Sequence, residues 1–129
     1  MSALRWLIAL LCISVMSFIP FLSGAASATE HALIVKFNYG YKDLNKLFEL
    51  EDKLKTVISN AGVGEYDGNE IAIDGKDGSL YMYGQNADNL YKVVKPILEA
   101  TPFMKGAKVK LRYGPPKDGV REKIYVINP

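Results

Sequence analysis

Few side chains in this chain could carry covalent chemistry. It has one cysteine, Cys12, and one histidine, His31. Cys12 falls in a segment expected to be removed, and His31 stands close to the resulting N-terminus, a poor place to hold a general base rigidly. The hydroxyls of Ser59, Ser79, Thr29, Thr56 and Thr101 sit in no nucleophile motif. Carboxylates are denser. "DGNE" and "DGKDG" offer oxygens to a cation, but neither has the spacing that wraps Ca²⁺. Glu65, Asp67 and Glu70 could supply a carboxylate pair for glycoside hydrolysis, yet a fold this small is expected to hold no sugar-sized cleft. No glycine-rich phosphate cradle is present. The expectation is a non-enzymatic domain with no catalytic residues, no metal and no cofactor.

The elements that must position these groups begin after residue 28. Met1 to Arg5 is short and singly positive, Trp6 to Leu22 is apolar, and Ala26-Ser27-Ala28 supplies small residues at a cleavage site. That is the build of a secretory signal peptide cut after Ala28, which makes the chain exported, periplasmic or secreted. An uncleaved anchor is the alternative, since about 17 apolar residues lie near the lower limit for a bilayer span. Leu11 before Cys12 argues against a lipid-attachment box. Residues 29–129 then form one small domain, with a net charge reduced from +2 to about +1 and no cysteine. Stability must come from packing alone, and the near-neutral charge argues against nucleic acid as a partner.

"HALIVKFNYG" reads as a strand ending at Gly40. Leu44, Leu47, Leu50, Leu54, Val57 and Ile58 then recur at helical spacing over 43–60, with Asp43 as N-cap and Gly62 as stop. Glu49/Lys53 and Glu51/Lys55 read as i,i+4 pairs on a solvated face. "GEYDGNEIAID" and "GSLYMYG" are strand-like runs joined by "GKDG", a hairpin turn. Asn86 or Asp88 caps a second helix with Leu90, Val93, Val94, Ile97 and Leu98 inward, and Pro96 is expected to kink it. "AKVKLRYG" and "VREKIYVI" close the chain as strands around "PPKDG". The order βαββαβ plus a C-terminal strand predicts an α+β, ferredoxin-like sandwich, an antiparallel sheet with two helices on one face.

Alternation sorts the strands into two faces. Leu33, Val35, Phe37, Ile71, Ile73, Leu80, Met82, Val109 and Leu111 should face the helices. Lys36, Asn38, Glu70, Asp74, Tyr81, Tyr83, Lys108, Lys110 and Arg112 should lie on the open face. In a 4-1-3-2 strand order that face runs from basic, through tyrosines, to acidic. Its paired tyrosines resemble the stacking face of an RNA-recognition motif, but the first strand offers Lys36 and Asn38 where a stacking aromatic is needed. Tyrosine also suits protein interfaces. The two runs "FNYG" and "YMYG" are expected to end strands one and three at the same edge, which makes Tyr39, Gly40, Tyr83 and Gly84 a candidate ligand edge.

"GEYDGNEI", "LYMYG", "AD.L...V.PILE" and "G..V.LRYGPP" together resemble a small bacterial family of hypothetical single-domain proteins. The resemblance covers most of the chain after the first helix and implies the fold without a function. Members of that family mostly lack an N-terminal signal, and residues 1–28 depart from it. The reading that follows is an exported domain binding a protein partner, or itself as a homodimer, through Lys36, Asn38, Tyr81, Tyr83, Lys108, Lys110 and Arg112. The alternatives are a periplasmic immunity or inhibitor protein, and a small-ligand or metal-binding domain at the strand–helix edge.

Overall fold

The computed structural model describes residues 30–129; the expected signal, its cleavage site and Cys12 lie outside them. Strand β1 (His31–Asn38) leads into helix α1 (Asn45–Ala61). The hairpin β2 (Glu65–Ile71) and β3 (Asp77–Gly84) follows, then helix α2 (Ala87–Ala100), a 3-10 turn at Pro102–Met104, and strands β4 (Lys108–Arg112) and β5 (Glu122–Val126). The result is an α+β domain of two helices and an open five-stranded antiparallel sheet in the order β2-β3-β1-β4-β5. Read from the other side the first four strands run 4-1-3-2. β5, paired with β4, adds a position beyond that four-stranded order.

One face of the sheet meets both helices. Leu33, Val35, Phe37, Leu80, Met82, Val109 and Leu111 are buried there against Leu47, Leu50, Leu54 and Ile58 of α1 and Leu90, Val94 and Leu98 of α2. Val93 and Ile97, expected inward, are only partly buried, and Tyr91 takes the inward position. The chain enters α1 one residue later than Asp43 suggests. Leu44 is the N-cap without a side-chain bond, and the Asp43 carboxylate instead accepts from the Asn45 N–H at 2.9 Å. Gly62 ends α1 in the left-handed conformation, as a C-terminal glycine does at little steric cost. Asn86 caps α2, accepting from the Asn89 N–H at 3.0 Å. α2 runs through Pro96 to Ala100.

The β2–β3 turn comes earlier than the "GKDG" run implies. Ala72 donates to the Asp77 carbonyl, Gly75 donates to that of Ala72, and the Asp74 carboxylate accepts from the Lys76 N–H. Those bonds close the turn over 72–76, with Gly75 at φ +73°. Ile73 is therefore fully exposed rather than facing the helices, and Asp74 belongs to the turn rather than to the open face.

Two glycines that looked alike serve different ends. Gly40 has φ +81° and open space around it, so it is needed for its dihedral alone. Gly64 and Gly84 sit where two backbones cross. A Cβ on Gly64 would run into the Tyr83 carbonyl, and one on Gly84 into that of Val63. Gly40→Ala should therefore cost about 1–2 kcal/mol, the usual left-handed penalty. Gly64→Ala, at φ +154° and against backbone, should cost clearly more in chemical denaturation; equal losses would contradict the crossing.

Candidate functional site on the open sheet face

Strand register lays the open face out in rows. Glu65, Tyr83, Ala32, Arg112 and Glu122 form one; Tyr81, Ile34, Lys110 and Ile124 the next; Glu70, Ser79, Lys36, Lys108 and Val126 a third, with Asn38 opposite Asp77 beyond it. Lys36, Asn38, Tyr81, Tyr83, Lys108, Lys110 and Arg112, the seven residues expected to bind a partner, thus share this face. Tyr81 and Tyr83 are half-buried, and between Tyr83 and Arg112 the small Ala32 is fully covered. Burial, then the Asp67 carboxylate, pushes the Tyr83 hydroxyl up from its usual range. The Arg112 Nε donates to the Gly114 carbonyl at 2.7 Å, which steadies its side chain.

β5 changes the charge pattern expected of this face. The basic strand β4 is not the edge, because Glu122, Ile124 and Val126 lie outside it. Lys110 and Glu122 form an ion pair at 3.8 Å, the one such pair among the described residues and worth about 1 kcal/mol or less at the surface. Lys36 and Lys108 stand directly opposite each other, where like charges repel. A hollow of about 660 Å³ opens beside them, lined also by Asn38, Ser79, Glu70 and Lys105.

The expected ligand edge is not a single place. β1 and β3 are antiparallel, so Gly84 pairs with His31 at one end of the sheet while Asn38 pairs with Asp77 at the other. Tyr39 and Gly40 follow Asn38, a strand's length away from Gly84. Tyr39 is also 5% exposed. Its hydroxyl donates to the Asp43 carbonyl at 2.7 Å and accepts from the Leu47 N–H at 3.2 Å, and its ring packs edge-on against Phe103. It ties β1 to the start of α1. Among the described residues, no three His, Cys, Asp or Glu side chains gather as metal ligands do, and no helix is long and apolar enough to cross a membrane.

His31 is anchored more firmly than its place in the chain suggests, because β1 begins with it. Its Nδ1 accepts from the Ala87 N–H at 3.0 Å, and its ring meets Tyr113 edge-on. The Tyr113 hydroxyl donates to Asp88 at 2.6 Å, and burial with that bond pushes it up to about 12. Arg121 lies over the same ring at 4.1 Å. These contacts join β1, α2 and the strand connection at one end of the domain.

One polar group escaped the sequence. Glu51 is 7% exposed on the inner face of α1, accepting from the Tyr66 hydroxyl at 2.6 Å and the Asn69 amide at 2.9 Å. It is not the solvated partner of Lys55, whose ammonium lies 5.8 Å from the Tyr66 ring centre. The clue was its spacing, three and four residues from Leu54 and Leu47, facing a strand that offers Tyr66 and Asn69. No family model, curated protein or solved structure matches the chain.

Burial, reinforced by the bond to Glu51, raises the Tyr66 hydroxyl well above the usual tyrosine range. A raised tyrosine keeps its proton in the folded state when the unfolded chain has lost it. Its contribution is complete below about pH 10, the unfolded value, and is lost as pH rises above it. Tyr66→Phe should cost about 2 kcal/mol at neutral pH, the scale of a hydrogen bond to a carboxylate. It should also flatten the decline in stability above pH 10. Denaturation curves between pH 7 and 11 read both, and an unchanged alkaline slope would remove Tyr66 from the account.

Proposed function

We propose that this is a small exported, non-enzymatic binding domain whose open sheet face takes a protein surface. The observation that carries the reading is the pair of rows at the His31 end of the face. They set Tyr81 and Tyr83 beside Ile34 and Ala32 and flank them with Lys110 and Arg112, on a face that neither helix covers. An apolar, aromatic centre with charged groups around it is the usual plan of a protein interface. In this proposal the architecture is a ferredoxin-like sandwich extended by β5, in the small bacterial family that the "LYMYG" and "LRYGPP" runs resemble. The acidic β2 and the basic β4 lie on opposite sides of the tyrosines, which also suits an inhibitor or immunity protein in the periplasm, recognised by a partner of matching polarity.

Site-specific photo-crosslinking tests the face. A crosslinker in place of Tyr81 should capture a protein from an envelope extract, and one in place of the exposed Lys53 on α1 should not. Arg112→Glu should lower the Tyr81 yield at least tenfold. Equal capture from both positions would overturn the assignment. Intact mass of the chain expressed from its full sequence tests export: the proposal requires a start at Thr29, and a mass retaining residues 1–28 would refute cleavage.

A further inference from the structure

Among the described residues, β5 has no partner along one side of its backbone. Tyr113 donates to the Arg121 carbonyl and Ile127 to the Ala107 carbonyl, each at 2.9 Å. With the register from Lys108↔Val126 to Arg112↔Glu122, these bonds turn the main-chain groups of the odd-numbered residues toward β4. Alternation then turns those of Glu122, Ile124 and Val126 outward, where β5 ends the sheet. All five β5 residues are exposed, Ile124 by 62% and Val126 by 45%. The opposite edge is different. In β2 a bulge between Tyr66 and Gly68 interrupts the ladder, Gly68 stands at φ +148°, and Glu65, Asp67 and Glu70 crowd acid onto it. Bulges and charge are how sheets keep an edge from pairing. β5 has no bulge, glycine or proline.

We propose that β5 pairs antiparallel with β5 of a second copy, joining two sheets into one across a two-fold axis. This goes beyond the open-face reading, since the surface is the strand edge. Register follows from the geometry. Outward groups bond only to outward groups, and Ile124 opposite Ile124 of the second copy engages Glu122, Ile124 and Val126 on both, about six hydrogen bonds. A slip one way keeps about four and sets Lys123 against itself; the opposite slip also keeps about four and sets Tyr125 against itself.

The charges agree with the centred register. Lys123 then meets Tyr125 of the second copy, whose ring stacks on Tyr91 at 5.0 Å, a favourable setting for an ammonium. Glu122 of the second copy comes beside Val126, one strand from Lys108. Lys108 is the lysine opposed by Lys36, and among the described residues neither has a carboxylate within ion-pair distance. The second copy thus brings acid to the place where its own chain sets base against base. No like charges stand directly opposite each other across the axis.

The chain expressed from its full sequence and purified from the cells should sediment as a reversible dimer at high micromolar concentration. In hydrogen exchange, the amides of Glu122, Ile124 and Val126 should gain protection with concentration, while those of Lys123 and Tyr125, already bonded to β4, should not. Ile124→Pro removes an outward N–H and no β4 bond, so it should give a folded monomer, at least tenfold weaker in association. If that variant does not fold, Ile124→Lys, which sets two ammonium groups together on the axis, takes its place with the same expectation. Tyr81→Ser should leave the dimer intact. A wild-type monomer at high micromolar concentration overturns the proposal. So does a dimer that survives the Ile124 variants, and loss of that dimer in Tyr81→Ser would assign association to the open face. A dimer failing only in the Ile124 variants, with no Tyr81 crosslink to another protein, would uphold the edge and sink the face.

Discussion

β1 is hydrogen-bonded on both sides, to β3 from His31 to Asn38 and to β4 from Ala32 to Lys36, and the outer strands β2 and β5 join the sheet only through those two neighbours. Its odd-numbered side chains, Leu33, Val35 and Phe37, are buried beneath the helices. With the strand's inner face committed in this way, a shift of one residue would exchange the two faces outright. The even-numbered set, Ala32, Ile34, Lys36 and Asn38, is thereby held on the outside. It forms the middle of the open face, so the candidate site is a consequence of how the core is packed.

The helices constrain the outer strands through polar as well as apolar contacts. Glu51 reaches from α1 to Tyr66 and Asn69 on β2, next to the bulge that follows Tyr66. The bulge lets Tyr66 and Asn69 both face inward although they are three residues apart, an odd spacing that a regular strand would split between faces. A buried carboxylate without such partners would carry a heavy desolvation penalty. β2 is thus set by one side chain of α1 and by the backbone crossing at Gly64 and Gly84.

Periodicity in the sequence located both helices and all five strands, and alternation assigned the open face correctly along β1, β3 and β4. It faltered where a local bond displaced the pattern. Asp74 closes its own turn and carries Ile73 out of the strand, so an apolar residue that fits the alternation ends in solvent. Glu51 fails in the other direction, being charged but covered, because its partners come from a strand whose bulge has no obvious signature. The twin Tyr-Gly runs misled for a topological reason. Likeness of sequence places them at equivalent points of two halves, and antiparallel pairing of β1 with β3 puts those points at opposite ends.

The two edges of the sheet are unequally held, and that difference shapes what the surface can do. β5 is fastened from the helix side by Tyr125 on Tyr91, by the buried Ile127, and by the Asn128 amide donating to the Glu99 carbonyl at 2.9 Å. Lys110 holds it from the open side through Glu122. None of these contacts uses the outward main-chain groups. A strand fixed from both faces loses little further freedom on gaining a neighbour, and that lost freedom is the main cost of strand addition. β2, bent at its bulge and lined with acid, offers no such straight row of donors and acceptors. The sheet is therefore built to end at β2, and β5 is the edge whose geometry suits a further strand.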